Sequence, residues 1–412
     1  MQINTDLLII GAGPFGLSMA AYAAHWGVDH RLIGKPMEFW QSNMPRGMYL
    51  RSACDWHLDP IGIDTIESFL KTKGLKATQV EPLSLEFYLR YARWFKRRKG
   101  IEPLPLHVRR LDYSTRTARF HAVNEDDSVI SAKNVVIAVG FKYFKYLPAE
   151  IARRVPTGRL SHTCDFVDFE LLRGKRCLII GGRQSAFEWA ALIGEAGADE
   201  VHICHRHGSP EFKTSDWSWV GPLVEMTTED PAWFRRLPPG RQQEMHRRLW
   251  AEGRLKVEPW LEPRVVNDTV KLWPRSQLVT CIQRPDGALA ATLDNGKTLI
   301  VDQVIAATGY RVDIARVPFL AAGTLLKELA TQNGSPKLDK HFQTNLPGLF
   351  MTSIAAMQDF GPFWGFTIAA PASAQIIGNL FWPEAKSTEQ QDNSKPLATF
   401  ARESRRQAGR AD

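Results

Sequence analysis

A glycine-rich turn near the N-terminus has the residue types and the spacing to bind phosphate groups. Gly11, Gly13 and Gly16 form a GxGxxG pattern that also contains Pro14 and Phe15. In such a turn the first glycine permits a tight bend, the second lets the backbone approach a pyrophosphate, and the third lets the next helix pack closely. The helix N-terminus adds amide donors and positive potential. We therefore predict that these five residues bind the pyrophosphate of a dinucleotide.

The acidic residue that usually binds the adenosine ribose in such sites is missing. It is expected about 20 residues after the turn, where this chain has Gly34 and Lys35. Asp29 lies too early and Glu38 too late for the usual place. We therefore expect the ribose to be recognised in a different way.

A second turn, at residues 181–186, resembles the first. Gly181 and Ala186 occupy the first and third glycine positions, and Arg183 occupies the second. A side chain there obstructs the backbone's approach to phosphate, although a guanidinium can itself bind a phosphate. A cation just after the next strand commonly binds the 2′-phosphate of NADP(H). We predict that NADP(H) contacts Gly181, Gly182, Arg183, Gln184, Ser185, Ala186 and Arg206. The alternative is a domain that has lost nucleotide binding and is kept for its shape.

Each turn is placed between a strand and a helix, as a βαβ unit requires. The apolar or alanine-rich runs of the first unit predict a strand, a helix and a strand at residues 7–10, 17–26 and 31–33. The second unit repeats this order at residues 177–180, 187–196 and 201–204. Apolar strands that end in small residues close the two halves at residues 135–140 and 304–310.

This order predicts an α/β protein with two Rossmann-like dinucleotide-binding domains, the second inserted into the first. Hairpin signals at residues 125–127, 286–287 and 295–296 predict β-meanders before the closing strands. We expect the first domain at residues 1–165 and 311–383, and the second at 174–310. Tryptophan-rich insertions at residues 36–105 and about 208–275 are expected in the core or in pocket walls, and residues 384–412 form a polar tail.

Composition excludes several classes of protein. The net charge of +8 comes from scattered short basic runs that no nucleic-acid-binding motif organises. The five cysteines are scattered without a CxxC pair or metal-ligand spacing, which favours a reducing cytoplasm and no metal site. Glycines and a proline interrupt the apolar N-terminal stretch, so neither a signal peptide nor a membrane span is expected.

Four segments together resemble the class B flavin-dependent monooxygenases, which include the flavin-containing monooxygenases and the ornithine and lysine N-hydroxylases. They are Gly-Ala-Gly-Pro-Phe-Gly-Leu-Ser at residues 11–18, Gly-Gly-Arg-Gln-Ser-Ala at 181–186, Ala-Thr-Gly-Tyr at 307–310, and a linker at 156–166. The linker is similar to the family signature FxGxxxHxxxW/Y, with Pro156 and Phe166 as departures and His162 as a structural histidine. No subfamily is assigned. The resemblance implies FAD at the first turn and NADP(H) at the second.

The resemblance also implies further flavin contacts. The loop after the first βαβ unit contains Trp40 and Arg46, and Trp40 is expected to form a wall of the flavin site. Near the C-terminus, a turn precedes a helix expected at residues 368–380, whose N-terminus is expected to face the N1–C2=O edge of the flavin. The flavin contacts expected in that turn are Asp359, Gly361, Pro362 and Phe363. No catalytic side chain is assigned, because the flavin supplies the chemistry.

These observations favour an NADPH-dependent monooxygenase that transfers oxygen from O2 to nitrogen or sulfur of a small molecule through a C4a-hydroperoxyflavin. One alternative is a flavin oxidase or NAD(P)H:acceptor reductase, which Arg183 favours if it weakens NADPH binding. Another is a protein that binds FAD as a sensor without turnover. The sequence does not determine the substrate or the oligomeric state.

Overall fold

The computed structural model of the protein describes residues 2–381, so the tail expected at residues 384–412 lies outside the described residues. The strands are β1 Gln2–Ile10, β2 His30–Ile33, β3 Val108–Ser114, β4 Arg119–Asn124, β5 Val129–Ile137, β6 Leu160–His162, β7 Arg176–Ile180, β8 Glu200–His205, β9 Glu211–Phe212, β10 Lys256–Val257, β11 Val270–Pro274, β12 Leu278–Gln283, β13 Leu289–Leu293, β14 Thr298–Val301, β15 Gln303–Ala306, β16 Thr331–Gln332, β17 Ser335–Pro336 and β18 Leu349–Met351. The α-helices are α1 Pro14–His25, α2 Glu38–Ser42, α3 Ile66–Lys71, α4 Leu85–Arg98, α5 Ala149–Arg154, α6 Gln184–Glu195, α7 Val220–Glu229, α8 Trp233–Arg236, α9 Pro239–Trp250, α10 Glu262–Val265, α11 Pro318–Ala321, α12 Leu325–Glu328, α13 Met357–Phe360 and α14 Ala369–Phe381. Within residues 2–381, none of these helices combines the length and the apolar character that crossing a membrane requires.

The first sheet contains the first predicted βαβ unit. Its strand order is β2-β1-β5-β4-β3, with β18 also paired to β5. β1 pairs in parallel with β2 and with β5, where Ile10 is opposite Ile137. The apolar end of β1 is buried, with Leu8 and Ile9 fully inaccessible, as in a parallel sheet covered on both faces. The carboxyl ends of β1 and β5 therefore lie side by side, and the first glycine turn follows β1 there.

Strand β5 explains how the C-terminal segment returns to the first domain. Its first half pairs antiparallel with β4, and the predicted hairpin at residues 125–127 joins these two strands. Its second half pairs in parallel with β18, where Leu349 is opposite Val135. Helix α14 packs on α1, and the Tyr22 hydroxyl donates a hydrogen bond to the Asn379 side chain (2.8 Å). The C-terminal segment therefore packs against the first sheet and its helix.

The second sheet repeats the design. Its order is β11-β8-β7-β15-β6, with every neighbouring pair parallel. The short strand β6 was expected within the first domain, but Leu160 pairs with Val304 of β15. Because the linker runs along the open edge of β15, its backbone completes the second sheet rather than the first. The predicted hairpins at residues 286–287 and 295–296 join β12, β13 and β14 into an antiparallel meander.

The second tryptophan-rich insertion, at about residues 208–275, contacts both domains. Val220 and Val224 of α7 belong to the hydrophobic core of the first domain, and Trp217 packs against that core. Trp260, later in the same insertion, packs against the core of the second domain. The insertion therefore bridges the two domains and covers part of the space between them.

Candidate functional site

Both glycine-rich turns open into one cavity of about 920 Å³. Residues 11–15 of the first turn and 181–185 of the second line it, together with the ends of the closing strands at residues 138–140 and 307–310. The carboxyl ends of parallel strands in both sheets therefore face a shared space, and this is where open α/β sheets bind ligands. The structure brings the two predicted nucleotide turns together.

The three glycines of the first turn have different roles. Gly11 has a φ of +111°, and a Cβ there would lie 2.4 Å from the carbonyl oxygen of Ala138. A Cβ on Gly16 would lie 1.7 Å from the Gly11 carbonyl oxygen, so α1 can pack against the turn only with glycine at residue 16. A Cβ on Gly13 would meet no atom within 4 Å. The open side of Gly13 leaves room for a ligand against the backbone, and the turn therefore fits a pyrophosphate.

Helix α1 leaves its first amides available to a ligand. Gly13 is the N-cap residue, and no side chain caps the helix. Pro14 occupies the first helical position, where its missing N–H costs nothing. The remaining N–H groups of the first turn have no partner within the helix and lie beside the cavity. Such an N-terminus stabilises an anion through hydrogen bonds and the helix dipole.

One acidic residue, Glu38, reaches the cavity close to the first turn although its spacing is longer than usual. Gly34 stands at the expected place because a Cβ there would lie 2.9 Å from the backbone of the first turn. Residues 34–37 fold back on that turn, and Glu38 lines the cavity. Its carboxylate lies 2.7 Å from the Lys142 ammonium and 3.2 Å from the His107 ring. Burial raises the pKa of Glu38, but the hydrogen bond and charge of Lys142 outweigh it and keep the pKa below its usual value.

The second turn has the geometry of the first. Gly181 has a φ of +144°, and a Cβ there would lie 2.5 Å from the Ala307 carbonyl oxygen, as at Gly11. Arg183 is the N-cap of α6 with extended backbone, as Gly13 is of α1. Its guanidinium carbon lies 5.8 Å from the ring centre of Trp250. The Arg183 side chain therefore stands where the first turn leaves open space.

Gln184 has a structural role in addition to lining the cavity. Its side-chain oxygen accepts a hydrogen bond from the Glu258 backbone amide (3.1 Å), and its amide donates to the Glu188 carboxylate (3.3 Å). Ser185 lines the cavity, whereas the Ala186 side chain is buried beneath the turn. Gln184 therefore fixes the second turn to the tryptophan-rich insertion.

The end of β8 contributes cationic and imidazole groups to the cavity. Arg206 is exposed and lines it, and no carboxylate within residues 2–381 pairs with its guanidinium. Gly182 is required beside His205, because a Cβ on Gly182 would lie 2.4 Å from that ring. Burial lowers the pKa of His205, and the neighbouring His207 lowers it further. The positive charge here is therefore mainly that of Arg206.

The loop after the first βαβ unit supplies one of its two predicted residues to the cavity. Trp40 is half-buried, lines the cavity and stacks on Tyr88 with ring centres 4.9 Å apart. Arg46 is exposed and does not line it. A flavin contact by Arg46 stays a prediction that this arrangement does not support.

The predicted C-terminal turn contributes through different residues. Pro362 lines the cavity, but Asp359, Gly361 and Phe363 do not. The Asp359 carboxylate accepts a hydrogen bond from the Leu338 amide (2.9 Å), and Phe363 is fully buried in the core. The residues that reach the cavity, Gly365, Phe366 and Thr367, come just before α14. The chain turns once more before the helix begins, and local sequence did not show which residues would then face the cavity.

The linker histidine has structural partners. The Nε2 atom of His162 lies 3.0 Å from the Gly309 carbonyl oxygen, and Nδ1 lies 3.1 Å from the Cys164 sulfur. Because a carbonyl can only accept, Nε2 carries the proton in this arrangement. Burial lowers the pKa of His162, which is consistent with a neutral ring. The ring joins the linker to the closing turn of the second domain.

Two dinucleotide-binding domains that share one cavity define a nucleotide-dependent oxidoreductase fold. Residues 8–230 match the family described as pyridine nucleotide-disulphide oxidoreductase. The chain belongs to this family.

One curated protein is similar to this chain in sequence, and solved structures are similar to it in fold. The chain is 27% identical to thioredoxin reductase of Escherichia coli O157:H7 over 207 residues, which cover 49% of this chain and 54% of that protein. The chain thus spans about half the length of this curated relative. The fold is similar to that of an ornithine N-hydroxylase from Kutzneria sp. 744, described with reduced FAD, NADP+ and L-ornithine. The TM-score is 0.73 at 15% identity, over 94% of this chain and 100% of that one.

A second solved structure gives the same result. The FAD-bound cadaverine monooxygenase of Erwinia amylovora has a TM-score of 0.71 at 16% identity, over 92% of this chain and 94% of that chain. The resemblance to class B flavin-dependent monooxygenases is thereby confirmed at the level of the fold, and the subfamily stays unassigned.

Proposed function

We propose that the protein is an FAD- and NADPH-dependent monooxygenase that oxygenates nitrogen or sulfur of a small molecule. In the net reaction, the substrate, O2, NADPH and H+ give the N- or S-oxide, NADP+ and water. The observation that carries the proposal is the single cavity onto which both glycine turns open. A nicotinamide held at the second turn and a flavin held at the first can meet only if the two sites are continuous.

The first turn has the features that FAD requires. The open side of Gly13 and the amides at the start of α1 would hold the pyrophosphate. Glu38, kept ionised by Lys142, would accept a hydrogen bond from the ribose. The segment before α14 would flank the ring system. Bound flavin supplies two-electron transfer from the nicotinamide and the activation of O2.

The second turn would hold the phosphates of NADPH by side chains as well as by backbone. Arg183, the N-cap residue of α6, lines the cavity and would bind the pyrophosphate with its guanidinium. Arg206 would bind the 2′-phosphate that distinguishes NADPH from NADH. Both charges lie at the second-domain end of the cavity, beside the carboxyl end of β8.

Buried thiols support O2 rather than a disulfide as the electron acceptor. All five cysteines are unpaired. Burial raises the pKa of Cys164 to about 11 and of Cys54 to about 12, so neither is a ready thiolate at neutral pH. The free thiols also suit a reducing compartment, and we propose a cytoplasmic location.

Arg183 supports a second candidate function, a flavin oxidase or NAD(P)H:acceptor reductase. If its guanidinium obstructs the pyrophosphate instead of binding it, the nicotinamide would not stay in the cavity after hydride transfer. The cavity would then be open to water, and the electrons from NADPH would reduce O2 to hydrogen peroxide.

The two functions differ in the product that the electrons of NADPH form, which is an oxygenated substrate and water in a monooxygenase and hydrogen peroxide in an oxidase. We expect the purified protein to be yellow and to oxidise NADPH faster than NADH. It should also release less hydrogen peroxide per NADPH consumed when a substrate that it can oxygenate is present. Peroxide equal to NADPH consumed with every amine and sulfide tried would establish the oxidase. Bound FAD that NADPH does not reduce would establish a sensor, and a colourless protein that does not bind added FAD would contradict the whole proposal.

A further inference from the structure

Three aromatic rings form one wall of the cavity, and we call Trp56, Trp217 and Phe366 the aromatic wall. Trp56 and Phe366 stack with ring centres 5.7 Å apart, and Trp217 meets Phe366 edge-on at 5.6 Å. All three side chains line the cavity. They come from three distant segments, and Phe366 belongs to the stretch just before α14 that we propose to flank the flavin ring. A substrate beside that ring would therefore touch the aromatic wall.

Two charged residues in the segments that carry the wall line the cavity, Arg51 and Arg254, and the charge of Arg51 is already paired. Its Nε–H donates to the Glu258 carboxylate at 2.8 Å, and both side chains are largely buried. Its terminal N–H groups donate to the carbonyl oxygens of Gly253 (3.0 Å) and Glu252 (3.1 Å) and to the Ser215 hydroxyl. Its guanidinium carbon lies 5.1 Å from the ring centre of Trp217. Arg51 thus holds the wall in place and has little capacity left for a substrate anion.

Carboxylates that could receive a substrate ammonium are also missing from this end. Within residues 2–381, the carboxylates that line the cavity are those of Glu38 and Glu150. Glu38 is paired with Lys142. Glu150 lies on α5, and Arg154 of the same helix donates a hydrogen bond to the Leu278 carbonyl of the second domain (2.6 Å). An ammonium placed at the aromatic wall would be buried without a carboxylate as counter-ion, which is unfavourable.

We propose that this site takes an aromatic molecule without an ammonium group, whose ring packs on Trp56, Trp217 and Phe366, with the nitrogen or sulfur to be oxygenated attached to that ring. This inference rests on the proposed function for its chemistry but on the wall and on Arg51 for its specificity. It sets the chain apart from the two proteins of similar fold whose descriptions name L-ornithine and cadaverine, which carry ammonium groups.

The test measures binding to the FAD-loaded protein by calorimetry, so that it does not depend on turnover. The probes are methyl phenyl sulfide, which is uncharged and aromatic, and L-ornithine and cadaverine. We expect the sulfide to bind at least tenfold more tightly than either amine. We also expect its addition to lower the hydrogen peroxide released per NADPH oxidised.

A pair of tryptophan variants assigns the binding to the wall. Trp217→Ala should weaken binding of the sulfide roughly tenfold, because one face of contact is lost, and Trp217→Phe should restore most of it. The matched control is Trp219→Ala in the same segment. Trp219 does not line the cavity, its indole N–H donates to the Asp216 carbonyl (2.9 Å), and Arg248 covers its ring. This control should bind the sulfide as the unaltered protein does.

The outcomes separate the substrate class from the enzyme activity. Tighter binding of L-ornithine or cadaverine than of the sulfide would overturn the inference, and so would equal effects of Trp217→Ala and Trp219→Ala at unchanged FAD content and melting temperature. Tight sulfide binding that Trp217→Ala weakens, with peroxide still equal to NADPH consumed, would support the inference about the wall. Peroxide equal to NADPH consumed with every other amine and sulfide as well would refute the monooxygenase proposal.

Discussion

Gly13 offers a way to separate the folding role of the first turn from its ligand-binding role. The structure gives Gly13 an ordinary extended backbone with φ −81° and ψ −168°, which alanine also adopts. A Cβ there would meet no protein atom within 4 Å. The new methyl group would stand instead in the space where we place the FAD pyrophosphate. Gly13→Ala should therefore leave the fold intact and weaken FAD binding.

The magnitudes follow from what each methyl group meets. Alanine is a poorer N-cap than glycine, so Gly13→Ala should cost at most about 1 kcal/mol of stability. Displacing the pyrophosphate from the helix N-terminus should lose one charge-assisted hydrogen bond of about 1.5–3 kcal/mol, or roughly 10- to 150-fold in Kd. At Gly16 the added Cβ would lie 1.7 Å from the Gly11 carbonyl oxygen. Gly16→Ala should therefore cost about 3 kcal/mol or more in stability.

The assay needs two readouts on each variant, the Kd for FAD by equilibrium dialysis and the free energy of unfolding in urea. Gly240→Ala is the control for the substitution itself, because Gly240 is exposed on α9 and a Cβ there also meets no atom within 4 Å. Gly240→Ala should leave the Kd for FAD unchanged and should raise the free energy of unfolding by at most about 1 kcal/mol, because alanine is the better helix former. If Gly13→Ala keeps the Kd of the unaltered protein within twofold, or loses as much stability as Gly16→Ala, our account of the first turn is refuted.

Three further predictions concern charged residues. Arg206→Ala should raise the KM for NADPH roughly tenfold and leave that for NADH unchanged in steady-state assays, and equal effects on both cofactors would exclude a 2′-phosphate contact. Burial raises the pKa of Asp59, but its hydrogen bond with Lys99 (2.7 Å) outweighs the effect of burial, and the net result is a lowered pKa. The stability from this pair is therefore present above about pH 4 and is lost as the pH falls through the lowered pKa. Lys99→Gln should therefore lower the melting temperature at pH 7 more than at pH 3, and an equal loss at both would contradict the pairing. Arg51→Met should lower the free energy of unfolding, measured in urea, by about 3 kcal/mol because it leaves the buried Glu258 carboxylate unpaired. The double variant Arg51→Met/Glu258→Leu should recover part of this loss.

Local sequence was sufficient to predict both βαβ units. The strand predicted at residues 177–180 runs over Arg176–Ile180, and the helix predicted at 187–196 runs over Gln184–Glu195. Such elements depend on short apolar runs and on glycines whose neighbours lie within a few residues. The repeated order of parts was enough to predict that the second domain is inserted into the first.

The side chains that line the cavity were harder to predict because they depend on contacts between distant segments. Glu38 was judged too far along the chain, yet the turn at residues 34–37 brings it back to the cavity. Phe363 and Asp359 were expected at the flavin, but the first packs into the core and the second bonds to the Leu338 amide. Spacing along the chain does not show which side of such a segment faces the cavity.

The sequence alone determined that this protein has two dinucleotide-binding turns. Each turn consists of a few adjacent residues, and its backbone conformation depends mainly on those residues. Only the tertiary structure decided that both turns open into one cavity and that Trp56, Trp217 and Phe366 share a wall of it. Arg51 helps to bring Trp217 to this wall, because it joins segments about 200 residues apart. The physical reason is that burial and charge pairing act between residues near in space, whatever their separation in sequence.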